Sequence, residues 1–137
     1  MYVIQKSTNI HEELIVQLGN NTPDLHLKVD LDIDDVLQNY NRLRRILGEA
    51  QELLQKNPEN EEYKIYYGKV LVEFFTIIFG SNGVEKILQV YENKYDQMLI
   101  DIAPFIVDCI QPQINKAMQL RIEKYKALSR KAWRARK

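Results

Sequence analysis

The sequence predicts a mainly α fold of the α+β class. It reads as an antiparallel helical bundle of four to five helices, with a small N-terminal β-hairpin and an extended basic C-terminal helix. Three observations carry this reading. From Leu25 to Ile33 apolar and polar residues alternate without a break, which is the period of a half-buried strand. From Asp34 onward apolar residues recur at steps of three and four, the period of an amphipathic helix. The last 22 residues hold nine basic side chains and one acid, Glu123. At 137 residues one domain is the expectation. It divides into a hairpin plus bundle over 1–112 and a basic amphipathic arm over 113–137.

The hairpin comes first. Leu25, Leu27, Val29, Leu31 and Ile33 share one face, and His26, Lys28, Asp30 and Asp32 the other. Upstream, the stretch 13–18 is also strand-like, and the turn formers of 19–24 separate the two. A lone hairpin is marginal in water, so it must pack on helices or on another chain. The first helix follows, with Asp32 or Asp34 as its cap. Val36, Tyr40, Leu43, Leu47, Ala50 and Leu54 form one apolar seam. The stretch 57–60, Asn-Pro-Glu-Asn, ends this helix and starts the next, which makes the two antiparallel neighbours.

The second helix is expected from Glu61 to Phe79, with a final third that is apolar nearly all round. Such a stretch is either the centre of the core or covered by another subunit. Gly80 is read as its stop and Asn82 as the cap of a third helix over 84–103. Pro104 begins the last segment or kinks the third helix, and Pro112 bends the chain again. Residues 113–136 read as one basic amphipathic helix, spanning roughly 36 Å at ~1.5 Å per residue.

Charge is balanced overall, 19 basic against 19 acidic, but not along the chain. Residues 1–115 carry 10 basic and 18 acidic side chains, so the acidic body faces a basic arm. Nucleic acid, an acidic membrane surface and the acidic body of another copy all fit such an arm. So does a plain solvated helix end, where cations suit the dipole. Trp133 stands in this basic run, where an aromatic can stack a base, sit at a membrane interface or anchor a protein contact.

No catalytic constellation, cofactor motif or metal motif stands out. One cysteine and two histidines are too few for a structural zinc site. Cys109 reads as a small buried hydrophobe. Asp30, Asp32, Asp34 and Asp35 lack the loop glycine and the twelfth-position acid of a calcium loop, and read as a strand end feeding a helix cap. No apolar run is long enough to cross a membrane, and the first residues do not read as a signal peptide, so a cytoplasmic protein is expected.

The order of elements then matters more than any one residue. A hairpin ending in Leu27-Lys28-Val29-Asp30-Leu31-Asp32-Ile33-Asp34 leads into two antiparallel helices. The second ends in Phe74-Phe75-Thr76-Ile77-Ile78-Phe79-Gly80, and Gly83-Val84-Glu85-Lys86-Ile87-Leu88 follows. Next come Tyr91-Glu92-Asn93-Lys94-Tyr95-Asp96-Gln97-Met98-Leu99 and Ile102-Ala103-Pro104-Phe105-Ile106. Over roughly residues 25–115 this resembles the tail assembly chaperones of long-tailed phages that infect Gram-positive bacteria. The resemblance implies a non-catalytic protein of the host cytoplasm, absent from the mature virion. It implies a protein that self-associates as a homo-oligomer or helical array and coats the helical tape-measure protein before the tail tube polymerises.

Within that reading, Phe74, Phe75, Ile78 and Phe79 are the candidates for a shared apolar surface. Ile114, Met118, Ile122, Tyr125, Leu128 and Trp133 are the candidates on the arm, with Lys124, Arg130, Lys131, Arg134 and Arg136 as its electrostatic face. Each apolar residue also has a plain reading as core. The alternative function is a small phage or bacterial protein that binds nucleic acid through the basic C-terminal helix. The acidic body and a pI near 6.7 weigh against it.

Overall fold

The computed structural model describes residues 1–4 and 9–135, with side chains described as far as Lys131. Strands β1 (Ile10–Val16) and β2 (Leu25–Leu31) pair antiparallel, with Ile10 opposite Leu31 and Val16 opposite Leu25. The alternation seen in the sequence sets which face is buried. Leu25, Leu27, Val29 and Leu31 enter the core and pack on the second helix, while Lys28 faces out opposite Glu13. His11 lies 3.3 Å from Asp30 and His26 3.8 Å from Glu13, both across the exposed face.

Helix α1 (Ile33–Lys56) starts at Asp32, whose carboxylate accepts from the Asp34 N–H at 2.9 Å. Its seam is buried as the spacing requires, at Val36, Tyr40, Leu43, Leu47 and Ala50. Asn57 closes it, and Asn60 caps α2 (Glu61–Tyr91) by accepting from the Tyr63 N–H at 3.1 Å. Helices α3 (Tyr95–Phe105) and α4 (Gln111–Ala135) are joined by a π-helical turn, Ile106–Ile110.

The expected four to five helices are therefore three rods: α1, α2, and α3 continued through the π turn into α4. Three of the expected breaks, at Gly80, Pro104 and Pro112, do not separate the rods. Gly80 does interrupt the helix as expected, with non-helical φ 77° and ψ 167°, so α2 is two helical stretches joined at a kink, the second ending at Tyr91. Pro104 and Pro112 remove two amide donors, and the wider π turn between them carries the rod through. The real break falls inside the third helix expected over 84–103. Glu92 and Asn93 take positive φ of 52° and 60°, and the Glu92 and Asn93 N–H groups both donate to the Leu88 carbonyl.

The apolar end of α2 forms the middle of the core. Tyr40, Phe74, Phe75, Phe79 and Phe105 make a continuous ladder, with successive ring centroids 5.5, 6.3, 5.9 and 6.3 Å apart. The ladder ties α1 to α2 and α2 to α3. Phe74, Phe75, Ile78 and Phe79 are all buried within the single chain. They are core residues and offer no surface to a partner, which corrects their candidacy as a shared face.

Candidate functional site: a basic arm and an apolar groove

The start of α4 belongs to the body. Ile114 is fully buried, Met118 is half-buried, and the Asn41 side-chain amide reaches the Met118 sulfur at 3.5 Å. The Gln113 amide donates to Glu12 on β1 at 2.8 Å, and Tyr40 donates to Gln111 at 3.2 Å. Arg121 forms the last anchor, an ion pair with Asp34 at the acidic start of α1. Asp34 holds the Arg121 guanidinium even more firmly protonated than usual.

Beyond Arg121 every described side chain is exposed. Ile122, Tyr125 and Leu128 are 45%, 67% and 62% exposed. Successive residues turn by ~100°, so these three continue the same stripe as Ile114 and Met118. The stripe that packs on α1 thus runs on past the end of the body with nothing against it among the described residues. Lys124 and Lys126 flank it, and Arg130 and Lys131 are exposed beyond. Trp133, Arg134 and Arg136 lie outside the residues whose side chains are described.

A second feature lies at the other end of the molecule. The C-terminal half of α1, the first three turns of α2 and the start of α3 enclose an open groove of about 760 Å³. Leu54, Pro58, Ile65, Val72, Tyr67 and Tyr95 supply apolar lining, and Ile65 is 65% exposed. Gly68 lets the walls close together. A β-carbon there would stand 2.6 Å from the Tyr95 ring, so only glycine admits the ring. Beneath the groove, Tyr67 is 2% exposed. Its hydroxyl is the one buried side-chain polar atom without a hydrogen-bond partner among the described residues. Burial first, then the neighbouring Asp96 charge, push this phenol far above its ordinary value. The volume falls within the range of ligand-binding clefts, but the lining holds no nucleophile with a base beside it.

The remaining chemistry is sparse. Among the described residues no group of three His, Cys, Asp or Glu side chains could hold a metal ion. Of the two expected cap candidates Asp32 caps the helix, while Asp34 pairs with Arg121. Cys109 is half-buried, and burial, reinforced by Glu12, raises its thiol pKa, away from reactive thiolate character. Among the described residues no helix is long and apolar enough to cross a membrane.

Sequence periodicity found the arm and its stripe. It missed the groove, because Leu54, Ile65, Val72 and Tyr95 come from three elements whose approach no local pattern records. Comparison with protein-family models, with curated proteins and with solved structures yields no match.

Proposed function

We propose that this protein is a non-catalytic phage tail assembly chaperone, one that self-associates and coats the helical tape-measure protein before the tail tube polymerises. The observation that carries the reading is the arm beyond Arg121. It presents a bare apolar stripe between basic flanks on an otherwise acidic chain. Such a helix associates by laying its apolar face into a groove. Ile100 and Val107, both exposed and seven residues apart on the third rod, add an apolar surface that a client helix can follow. A coat must hold its client and yet come away as the tube grows, which suits modest, repeated contacts better than one large interface.

The test is co-expression with a phage tape-measure protein. With the full chain present, the tape-measure protein stays soluble and co-purifies; with Ile122→Asp and Leu128→Asp together, recovery drops at least several-fold. Equal recovery with and without the chaperone overturns the reading.

The exposure of Lys124, Lys126, Arg130 and Lys131 favours one second reading, in which the arm binds nucleic acid. In that case affinity for duplex DNA or RNA falls steeply with salt, and neutralising these four residues abolishes it.

A further inference from the structure

The groove and the arm stripe are two unpartnered apolar features of the described chain, and the fold keeps them apart. Tyr95 and Asp96 border the groove at the first turn of the third rod, and the stripe lies on its last turns. Tyr95 and Leu128 are 33 residues apart along nearly continuous helix, roughly 50 Å at ~1.5 Å per residue. Helix α1 gives the same direction independently. Its Asn41 end touches Met118 where the arm departs, and its Leu54 end lines the groove. The arm therefore points away from the groove of its own chain and cannot enter it while the rod stays helical.

A second copy has no such constraint. We propose that the arm of one copy docks through Ile122, Tyr125 and Leu128 into the α1–α2–α3 groove of the next, joining copies head to tail. The proposal rests on the self-association part of the functional reading and not on the identity of the client.

Three observations support this occupant over others. The first is shape: the groove is open and lined largely by apolar side chains, and it stands between helices, as a helix-binding groove does. The second is charge. The occupant is a strongly basic helix and the body that receives it carries 18 acids against 10 bases. The groove lining itself is balanced, Glu73 and Asp96 against Lys64 and Lys69, so the attraction is between the basic arm and the acidic body as a whole. In the proposed contact Lys124 and Lys126, on the two flanks of the stripe, pair with Glu73 and Asp96. The third is continuity: the stripe is the outward extension of a face that already packs helix on helix at Ile114 and Met118.

Two different patches on one chain make a heterologous contact. Such contacts close into rings or extend as open helical arrays, and each added copy offers a fresh groove or a fresh arm. An array of this kind grows to the length of what it covers.

The experiment mixes two variants that each damage one half of the contact. Ile65→Asp spoils the groove, and the pair Ile122→Asp with Leu128→Asp spoils the arm. All three positions are exposed, so the fold is retained, and far-UV circular dichroism verifies it. In sedimentation velocity the wild-type chain forms species that grow with concentration and shrink in high salt. Each variant alone stays monomeric. Mixed one to one, the intact groove of the arm variant receives the intact arm of the groove variant, and the mass doubles to a heterodimer that grows no further.

A monomeric wild type, a variant that still assembles alone, or a mixture that fails to pair each overturns the proposal. Client capture in co-expression reads separately. Loss of pairing with client capture intact rejects this contact alone. Pairing without capture rejects the chaperone role and leaves the contact standing.

Discussion

Gly48, Gly68 and Gly80 all lie in helical rods, yet alanine has a different expected effect at each. At Gly48 an added β-carbon meets nothing within 4 Å in a regular helix interior, so Gly48→Ala raises stability by about 0.5–1 kcal/mol. At Gly80 there is also open space, but φ 77° with ψ 167° is a conformation essentially reserved for glycine. Gly80→Ala therefore costs about 1–3 kcal/mol through the backbone alone. At Gly68 the new methyl strikes the Tyr95 ring at 2.6 Å, and crowding outweighs the helix-propensity gain. A net loss of about 1–2 kcal/mol is expected, and it shrinks when Tyr95 is also trimmed to alanine. Urea unfolding of the three single variants and the double variant checks all four signs.

Tyr91 gives the matching expectation for pH. Burial first, then its 2.9 Å hydrogen bond to Asp101, pushes its phenol from 10.0 up to about 12. In this range the unfolded chain gives up its proton before the folded one does. Stability from this group is thus fully present below pH 10 and is lost as pH rises toward 12. Replacing Tyr91 with phenylalanine flattens that alkaline decline, as thermal melts at stepped pH would record.

Among the elements, the third rod is the one whose extent local signals misstate. Pro104 and Pro112 read as interruptions, but the break falls ahead of both, at Glu92 and Asn93. A proline ends a helix when nothing absorbs its missing donor and its clash with the preceding turn. Here the rod continues through the π turn at Ile106–Ile110, and Ile102, Ile106, Ile110 and Ile114 pack continuously into the core. The boundary between body and arm shifts for the same reason. Ile114 and Met118 sit past the expected division at 112/113, but they pack as core and near-core. A chain ending at Gln119 therefore keeps nearly the melting behaviour of the full chain. A chain ending at Gln111 loses the burial of Ile114 and the cover of Met118, and about 2–4 kcal/mol with them. Chemical denaturation of the two truncations separates these outcomes.

For the molecule as a whole, the segregation of charge is the feature with the longest reach. An acidic body and a basic arm on one neutral chain attract between copies and repel within each part, and salt screens both effects within about 8 Å at physiological strength. Head-to-tail association of such chains weakens with salt, whereas an interface built on the Phe74–Phe79 run would hardly respond to it. That run is closed inside a single chain.

The sequence by itself determined the hairpin face, the α1 seam, a cap at Asp32 or Asp34, the α1–α2 turn at 57–60 and the apolar stripe of the basic arm. All of these are periodicities or cap contacts completed within a few residues. Whether the apolar end of α2 is core or interface was undecidable locally, because an all-round apolar helix suits both; the ladder from Tyr40 to Phe105 decided it. The tertiary structure alone decided that the chain breaks at Glu92, and that Gly68 and Tyr95 interlock. It alone made the groove, since a concavity belongs to the spacing between helices and not to the residues of any one of them.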